Sequence, residues 1–150
     1  MRTINENVGA ATFTRLQPEM FTDAVELDPQ EIAVSTADRR LTFAEVDSWS
    51  DRVADALIAL GAGPDAHVVM ALSPSIESFV AIWAVSKTGA RLASVDPSDL
   101  YAPVGKVLSD PRITVGVTTR AQRRLVPDSI NWLVLETGFE ALGGEALQAA

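Results

Sequence analysis

The segment HVVMALSPSIESFVAIWAVSKTGARLASVDP, residues 67–97, decides the fold of this chain. Its first part, His67–Leu72, is apolar without alternation, which is typical of a strand covered on both faces. The following stretch, Pro74–Lys87, carries apolar residues at spacings of three and four, as an amphipathic helix does. A second apolar run, Leu92–Val95, is short enough for a strand. The segment therefore predicts two parallel strands joined by a crossover helix.

The ends of these elements carry their own signals. Ser73 and Pro74 have the residue types preferred at the N-cap and the first position of a helix. Gly89 is placed to end the helix in the left-handed conformation, and Lys87 lies near the negative end of the helix dipole. Asp96 and the proline after it close the second strand, because proline cannot donate a ladder hydrogen bond.

A second helix is predicted upstream, at Phe43–Leu60. Thr42 and Glu45 have the spacing of a capping box, in which the hydroxyl accepts from one amide and the carboxylate accepts from the other. Gly61 is placed to end this helix. The apolar stripe of the helix consists of Val46, Trp49, Val53, Leu57 and Leu60.

The rest of the chain continues the alternation of helices and strands. The fold class is therefore α/β, with a mostly parallel, right-handed sheet flanked by helices. We expect a single domain over residues 1–150, with a core over about residues 13–136 and a frayed tail at residues 138–150. The further predicted elements are a helix at Phe13–Leu27, a strand at Ile32–Ser35 that turns at Asp38 and Arg39, a helix at Val104–Leu108, a strand at Ile113–Val117, a short helix at Arg120–Leu125 and a strand at Trp132–Leu135.

Composition excludes several classes of protein. The 150 residues include 20 acidic and 12 basic side chains, so the formal charge is −8, and 47% of residues are hydrophobic. An acidic globular chain without a basic stripe is not expected to bind nucleic acid or an anionic membrane. With no cysteine and one histidine, the sequence offers no disulfide, thiolate or multi-histidine metal site. No apolar run approaches the ~18 residues of a membrane helix, and we expect a cytoplasmic protein.

Two stretches bear on nucleotide binding, and neither favours it. Residues Gly61–Ala66 match the spacing G-x-G-x-x-A of a dinucleotide fingerprint. That fingerprint must follow a strand and open a helix, whereas these residues end a helix and precede a strand, so we interpret them as a turn. A small α/β protein with a nucleotide or flavin at a sheet switch point would need a Gly- or Ser/Thr-rich turn after its first strand. The turn at Ala71–Ser75 is a poor candidate because Pro74 has no amide hydrogen to offer an anion.

Several isolated residues have a functional and a structural interpretation. Asp96 and Asp99 follow a strand at the edge where open sheets bind ligands, although Asp-Pro is also an ordinary turn pair. His67 has no acidic or hydroxyl neighbour in sequence that would make it a general base. The remaining candidates are a possible phosphate clamp of Arg120, Arg123 and Arg124 on one helix face, which a solvated surface explains equally, and the tryptophans Trp49 and Trp83, which fall on apolar stripes and are interpreted as core.

Three motifs together give the chain a family resemblance. The segments L-T-F-A-E-V-D at Leu41–Asp47, L-G-A-G-P at Leu60–Pro64 and S-K-T-G-A-R-L-A-S-V-D-P at Ser86–Pro97 resemble the first two core motifs of adenylation domains. These domains belong to the AMP-forming acyl-adenylate ligase superfamily, and the non-ribosomal peptide synthetase type is the most similar. The resemblance spans roughly Phe21–Trp132. The second motif there is approximately L-K-A-G-x-A-Y-V-P-L-D-P, and this sequence departs from it at Ser86, Thr88, Arg91, Ala93 and Ser94.

The resemblance implies an ATP-dependent ligase in the complete protein. Such enzymes use ATP and Mg²⁺ to activate a carboxylate as an acyl-AMP and then transfer it to a phosphopantetheine thiol. This sequence lacks the family's Ser/Thr/Gly-rich loop ending in Pro-Lys-Gly, its ribose-binding aspartate and its catalytic lysine. We therefore assign no catalytic, cofactor-binding or metal residue, and we expect this chain to bind no cofactor and to be inactive alone.

Two roles remain open for the chain. It could be the N-terminal fragment or a truncated form of a carboxylate- or amino-acid-activating adenylation domain, or a non-catalytic protein-interaction module derived from one. The expected partner is the remainder of such a domain, a synthetase subunit or a second copy in a homodimer. An isolated segment of this kind is expected to expose at least one unpaired parallel strand edge, which is why we expect association.

Overall fold

The computed structural model describes residues 3–8, 11–16, 18–37, 39–97, 107–135 and 147–149. These ranges contain three α-helices, α1 (Pro18–Leu27), α2 (Phe43–Ala59) and α3 (Ile76–Thr88), and a 3₁₀ helix at Arg120–Leu125. The strands are β1 (Thr3–Val8), β2 (Ala11–Leu16), β3 (Ile32–Ser35), β4 (Arg40–Thr42), β5 (His67–Ala71), β6 (Arg91–Val95), β7 (Ile113–Thr119), β8 (Asn131–Leu135) and β9 (Leu147–Ala149).

A seven-stranded sheet in the order β1-β2-β6-β5-β7-β8-β9 organises the described residues. Its four central strands, β6, β5, β7 and β8, are parallel, which confirms the predicted fold class. Strands β3 and β4 form a separate antiparallel pair. All five residues of β5 are buried, as expected for a strand with both faces covered.

The sequence did not predict the outer strands of the large sheet. β2 pairs antiparallel with β6, and β9 pairs antiparallel with β8, so the expectation of an unpaired parallel strand edge is wrong. Leu147–Ala149 lie in the stretch for which we predicted a frayed tail, and there the structure differs from the sequence interpretation. Residues 138–146 of that tail, and residues 104–106 of the predicted helix at Val104–Leu108, lie outside the described residues.

The helix predicted at Phe13–Leu27 begins too early. Residues Ala11–Leu16 form β2, and α1 begins at Pro18. Proline lacks the amide hydrogen that a helix interior requires, but it fits the first turn, where that amide has no intrahelical partner. Phe21 of α1 is buried, at 2% exposure.

Two hydrophobic cores cover the two faces of the sheet. One joins Phe21 of α1 and the apolar stripes of α2 and α3 to alternate strand residues such as Val68 and Val115. The other contains Val69, the next residue along β5, together with Trp132. The connection from β5 to β6 and the connection from β6 to β7 cross the sheet in opposite directions. Because both crossovers are right-handed, they cover opposite faces of the sheet.

The predicted capping box of α2 is confirmed. The Glu45 amide donates to Thr42 Oγ1 at 3.2 Å, and the Thr42 amide donates to Glu45 Oε1 at 2.9 Å. Gly61 follows the helix with a φ of 113°, in the left-handed region predicted for it.

We expect Thr42→Ala to lower the free energy of unfolding by about 1 kcal/mol, because the variant loses the N-cap hydrogen bond. Glu45→Ala is expected to cost less, since it removes only the return bond. Urea denaturation midpoints measure both effects. Ser48→Ala, at an exposed position of the same helix, is the control and should not lower the midpoint. Midpoints of both cap variants equal to the parent's would show that this motif has another role, such as a partner contact.

The predicted start of the next helix is wrong. The N-cap of α3 is Ser75 rather than Ser73, and its Oγ accepts from the Ser78 amide at 3.1 Å while Ser78 Oγ accepts from the Ser75 amide at 2.8 Å. The end of α3 is as predicted, with Gly89 at a φ of 82°.

Lys87 joins the three helices. Its ammonium donates to Asp47 Oδ1 and Asp51 Oδ1, both at 2.7 Å, and to Ser50 Oγ at 2.8 Å. The same ammonium lies 5.6 Å from the centre of the Phe21 ring. The sequence interpretation placed Lys87 against the dipole of its own helix, whereas its main partners lie on α2.

No helix within the described ranges is long and apolar enough to cross a membrane.

Candidate functional site

The carboxyl edge of the parallel strands is where an open α/β sheet binds its ligands. β5 comes first in the chain among the parallel strands, β6 lies on one side of it and β7 on the other. The connections that follow β5 and β7 leave toward opposite faces of the sheet, so the switch point of the topology lies between these two strands. The candidate site is therefore formed by residues 72–75 after β5 and by the 3₁₀ helix after β7.

Gln122 connects the two loops of this candidate site. Its Oε1 accepts from the Ser73 amide at 3.0 Å, and its Nε2 donates to Ser73 Oγ at 2.8 Å. Thr119 Oγ1 lies 3.4 Å from the same Oε1. Because the Gln122 amide group occupies the space between the loops, the crevice at the switch point is closed by a direct protein contact.

A further polar group at this edge, the Thr118 hydroxyl, is also engaged. Thr118, which is fully buried, donates from Oγ1 to the Ala71 carbonyl at 2.6 Å. Inside a protein a hydroxyl without a partner costs free energy, and this bond satisfies it while tying β7 to β5. Thr118 is therefore a structural residue in this arrangement.

The N-terminus of α3 does not present a phosphate seat. Ser75 caps the Ser78 amide, and Pro74 has no amide hydrogen. Glu77 places a carboxylate in the first turn, where its Oε2 accepts from Arg39 Nη2 at 2.7 Å. A negative charge in the first turn opposes an incoming anion. These contacts favour the interpretation of residues 71–75 as a structural turn.

Among the other sequence candidates, Asp96 lies at this carboxyl edge, whereas residues 61–66 and His67 lie away from it. Residues Gly61–Ala66 end α2 and precede β5, so the reversed order that spoke against a dinucleotide fingerprint is confirmed. Asp96 is half-buried directly after β6, whereas Asp99 lies outside the described residues. His67 is buried at the opposite, amino end of the sheet as the first residue of β5.

The three arginines do not form a phosphate clamp. Arg123 donates to Asp128 Oδ1 at 2.5 Å and to the Val126 carbonyl at 3.3 Å, and its guanidinium carbon lies 6.0 Å from the centre of the Trp132 ring. The helix that carries them is a 3₁₀ helix, whose period of three does not align Arg124 with Arg120. Arg123 is therefore a structural residue.

The two tryptophans are in the core, as predicted. Trp49 is 1% exposed in α2. Trp83 is half-buried in α3, and its ring centre lies 4.8 Å from that of Phe21.

An open depression of about 480 Å³ lies at the amino ends of β7 and β8. Its lining includes two carboxylates, Asp110 and Asp128, and both are paired with arginines. Sequence reasoning missed the pair formed by Asp110 and Arg112, whose side chains approach to 2.9 Å across a proline turn. Hydrogen bonds from the Arg112 side chain and backbone amide hold the pKa of Asp110 below its ordinary value of 3.8.

We expect Arg112→Gln to raise the pKa of Asp110 toward its ordinary value, because the variant loses the guanidinium but keeps the backbone amide. In the parent, a carboxyl whose pKa is lowered by folding contributes stability above its unfolded pKa and loses it as the pH falls through the folded pKa. The variant should therefore lose less stability over that acidic range. A ¹³C NMR titration of the Asp110 carboxyl measures the pKa directly, and equal pKa values in the two proteins would contradict the assignment of its cause.

The described residues contain no group of three or more histidine, aspartate or glutamate side chains that could hold a metal ion.

Comparison with known proteins identifies the fold as that of a family. The family model described as AMP-binding enzyme matches residues 21–138, which is most of the chain. The chain belongs to the AMP-binding enzyme family. This membership confirms the resemblance read from the motifs at Leu41–Asp47 and Ser86–Pro97.

The relatives that the chain matches include peptide synthetases. The chain is 30% identical over 125 residues, or 83% of its length, to a non-ribosomal peptide synthetase-like enzyme, fsqF, of Aspergillus fumigatus. It is 31% identical over 121 residues, or 79% of its length, to a dimodular non-ribosomal peptide synthase of Bacillus subtilis. It covers 8% of the first relative and 5% of the second. This family member therefore spans a small part of the relatives it matches.

Solved structures show the same fold. The peptide synthetase FmoA3, solved with α-methyl-L-serine-AMP bound, superposes with a TM-score of 0.73 at 21% identity over 96% of this chain and 16% of that one. The structure of IdnL1 superposes with a TM-score of 0.70 at 21% identity over 91% of this chain and 26% of that one.

Proposed function

We propose that this chain is the N-terminal part of an AMP-forming adenylation domain that activates a carboxylate or amino acid, and that it contributes scaffold rather than catalytic groups. The observation that carries the proposal is the closed switch point. The Gln122 side chain bonds Ser73 at the edge where a ligand would enter, and the first turn of α3 carries a carboxylate. The peptide synthetase relatives supply the reaction class.

The residues present do not fit ATP or Mg²⁺. In the complete enzyme these reactants would convert a carboxylate to an acyl-AMP with release of pyrophosphate. A chain that binds them needs positioned cations or amides for the phosphates. The 150 residues contain no Ser/Thr/Gly-rich loop ending in Pro-Lys-Gly, and Arg39 and Arg123 are each committed to a carboxylate. We therefore derive no reaction step for this chain by itself.

We expect the isolated chain to catalyse no amino-acid-dependent exchange of pyrophosphate into ATP above the buffer blank. The reason is that the sequence lacks the family's phosphate loop and catalytic lysine, which would stabilise the adenylyl group during its transfer to the carboxylate. The assay uses the chain at several concentrations with a panel of amino and aryl acids. Pyrophosphate exchange that rises in proportion to the concentration of the chain and remains after repurification would contradict the proposal.

A second candidate function is that of a non-catalytic protein-interaction module. The observation that favours it is the exposed apolar surface of α1, where Leu27 is 86% and Met20 39% exposed. The intact mass of the protein from its natural source separates the candidates. A mass several-fold above 16.0 kDa supports the adenylation domain, and a mass of 16.0 kDa supports the module.

The partner and the location belong to the same proposal. An adenylation domain would pair this segment with its own remainder or with a synthetase subunit, whereas a module could dock on a subunit or form a homodimer. We place all of these in the cytoplasm, since the chain has no cysteine and no expected membrane segment. Light scattering coupled to gel filtration over a tenfold concentration range distinguishes a homodimer from a monomer.

A further inference from the structure

The outer surface of α1 carries two parallel stripes, one apolar and one acidic. Met20 and Leu27 are seven residues apart, so they lie on one side of the helix about 10 Å from each other. Glu19 and Glu26 have the same spacing and lie beside them, with Asp23 between the two stripes. All five residues are exposed. We call this surface the α1 face.

The α1 face is exposed because the opposite side of the helix fills the core. Phe21 is 2% exposed and lies between Phe43 of α2 and Trp83 of α3, with ring centres 5.8 and 4.8 Å away. These contacts fix the rotation of α1 about its axis. Leu27 is consequently 86% exposed and Met20 39% exposed, among the larger exposures of large apolar side chains in the described residues.

Another apolar side chain is exposed beyond the helix. A tight turn follows α1, in which the Glu31 amide donates to the Asp28 carbonyl at 3.2 Å. Ile32, the next residue, is 45% exposed. Ile32 is therefore a further exposed apolar side chain, five residues after Leu27 in the chain.

The charge around this apolar stripe has one sign. Residues 18–38 include six acidic side chains and no lysine, arginine or histidine. In the described part of the chain no cation pairs with Glu19, Asp23 or Glu26, whereas the ammonium of Lys87 is held by Asp47 and Asp51. The stripe is therefore complementary to an apolar surface that is flanked by positive charge.

We propose that the α1 face docks a basic amphipathic helix of a partner protein. Two apolar residues seven positions apart on that helix would contact Met20 and Leu27, and lysines or arginines at flanking positions would face Glu19, Asp23 and Glu26. Paired helices use this arrangement, with an apolar seam and flanking charges that select the partner. A second copy of this chain is the wrong occupant, because residues 18–38 contain no lysine or arginine and a second α1 face would offer the acidic stripe no positive charge.

A labelled peptide tests the docking site on the complete 150-residue chain. The probe is a helix of three heptads with leucine on its apolar seam and lysine at the flanking positions. One comparison peptide replaces the leucines by serine and keeps the charge, and another replaces the lysines by glutamate. Fluorescence anisotropy at physiological ionic strength measures the Kd of each peptide, and far-UV circular dichroism verifies that each protein variant is folded.

The α1 face should control the affinity for the leucine-lysine peptide. We expect Met20→Ser/Leu27→Ser and Glu19→Lys/Glu26→Lys each to raise its Kd by about tenfold or more, since each removes one of the two complementary components. The matched controls are Leu125→Ser, an exposed leucine on the 3₁₀ helix at the opposite face of the sheet, and Asp55→Lys/Asp65→Lys. Both controls should leave the Kd within about twofold.

Three outcomes would overturn the proposal. The serine peptide could bind as tightly as the leucine peptide, which indicates attraction of charge alone. The control variants could lose as much affinity as the α1 variants do. Sedimentation could show a dimer of the chain that Met20→Ser/Leu27→Ser dissociates, which indicates a second copy on this face. None of these measurements involves ATP, so the result is independent of the proposed adenylation function.

Discussion

Replacing Gly116 by alanine is expected to lower the free energy of unfolding by about 3 kcal/mol. Gly116 of β7 lies opposite Trp132 of β8 in the parallel register. A Cβ added at Gly116 would lie 2.6 Å from Trp132 Cε3 and 2.9 Å from Ile130 Cδ1, closer than such atoms approach in proteins. The backbone of Gly116 is not in the left-handed region, so the expected loss is due to this collision alone.

The tryptophan ring has no easy way to move aside. Trp132 is fully buried, and its Nε1 donates to the Pro127 carbonyl at 2.6 Å. The Arg123 guanidinium carbon lies 6.0 Å from the ring centre. A displaced ring would lose this hydrogen bond and leave the second core, so the collision cannot be relieved by a small rotation.

Urea denaturation of a matched pair measures the effect of the collision. Gly63→Ala is the control, because a Cβ there meets no atom within 4 Å, and its stability should be unchanged or slightly higher. In the double variant Gly116→Ala/Trp132→Leu, the cost of the alanine should largely disappear, because the ring that it strikes is absent. Equal midpoints for Gly116→Ala and the parent would contradict the described packing of β7 against β8.

Replacing Arg39 by methionine is expected to cost about 2 to 3 kcal/mol of stability. Arg39, in the turn between β3 and β4, donates to Glu77 in the first turn of α3 at 2.7 Å, and the two side chains are 25% and 4% exposed. Methionine keeps much of the apolar stem but removes the charge. The nearly inaccessible carboxylate of Glu77 then remains without its partner, which costs more than losing an exposed ion pair.

Two further variants separate the effect of losing the ion pair from the effect of losing any arginine side chain. Arg40→Met changes the neighbouring residue, which is exposed, and should alter stability by less than about 0.5 kcal/mol. Arg39→Met/Glu77→Gln removes the unpaired charge and should recover part of the loss. Calorimetric or urea midpoints serve for all three proteins. A loss in Arg39→Met no larger than that in Arg40→Met would show that the pair contributes little.

The parallel core could be predicted because its signals are local. A buried strand such as β5 needs a continuous apolar run, and the helix after it needs apolar residues at spacings of three and four. Thr42 and Glu45 are three residues apart, so the contacts of their capping box are visible in the sequence. The order of the strands was not predicted; once the structure supplies it, the handedness of the crossovers determines the face of the sheet on which each connection lies.

The missed elements depend on distant partners. β1 and β2 have mixed polar and apolar sequences, and they pair with each other. β2 also pairs with β6 through residues far apart in the chain, Thr14 and Leu92. The start of α3 was misplaced for a similar reason. Ser73 precedes a proline and resembles an N-cap, but its amide and hydroxyl bond Gln122, 49 residues away, and the cap falls to Ser75.

For the candidate site, the sequence predicted only that the turn after β5 is not a phosphate-binding loop. The sequence indicates that no phosphate-binding loop follows β5, because Pro74 lacks an amide hydrogen and glycines are missing there. It gives no signal that Gln122 closes the switch point, or that Lys87 bonds two carboxylates of α2, since both contacts depend on side-chain geometry between elements. The contacts of Arg123 could not be predicted either, because the spacing of Arg120, Arg123 and Arg124 is common on solvent-exposed helices.

If this chain supplies the scaffold of an adenylation domain, as we propose, it has no nucleotide site of its own. The most direct test is a titration of the ¹⁵N-labelled chain with Mg²⁺ and ATP, followed by amide chemical shifts. We predict no saturable change at the amides of Ser73, Ser78 or Gln122, because the Ser73 and Ser78 amides already donate to Gln122 and Ser75 and the Gln122 side chain closes the switch point. Saturable shifts at these amides, reproduced with AMP and absent with pyrophosphate, would show a nucleotide site at the switch point and contradict the claim.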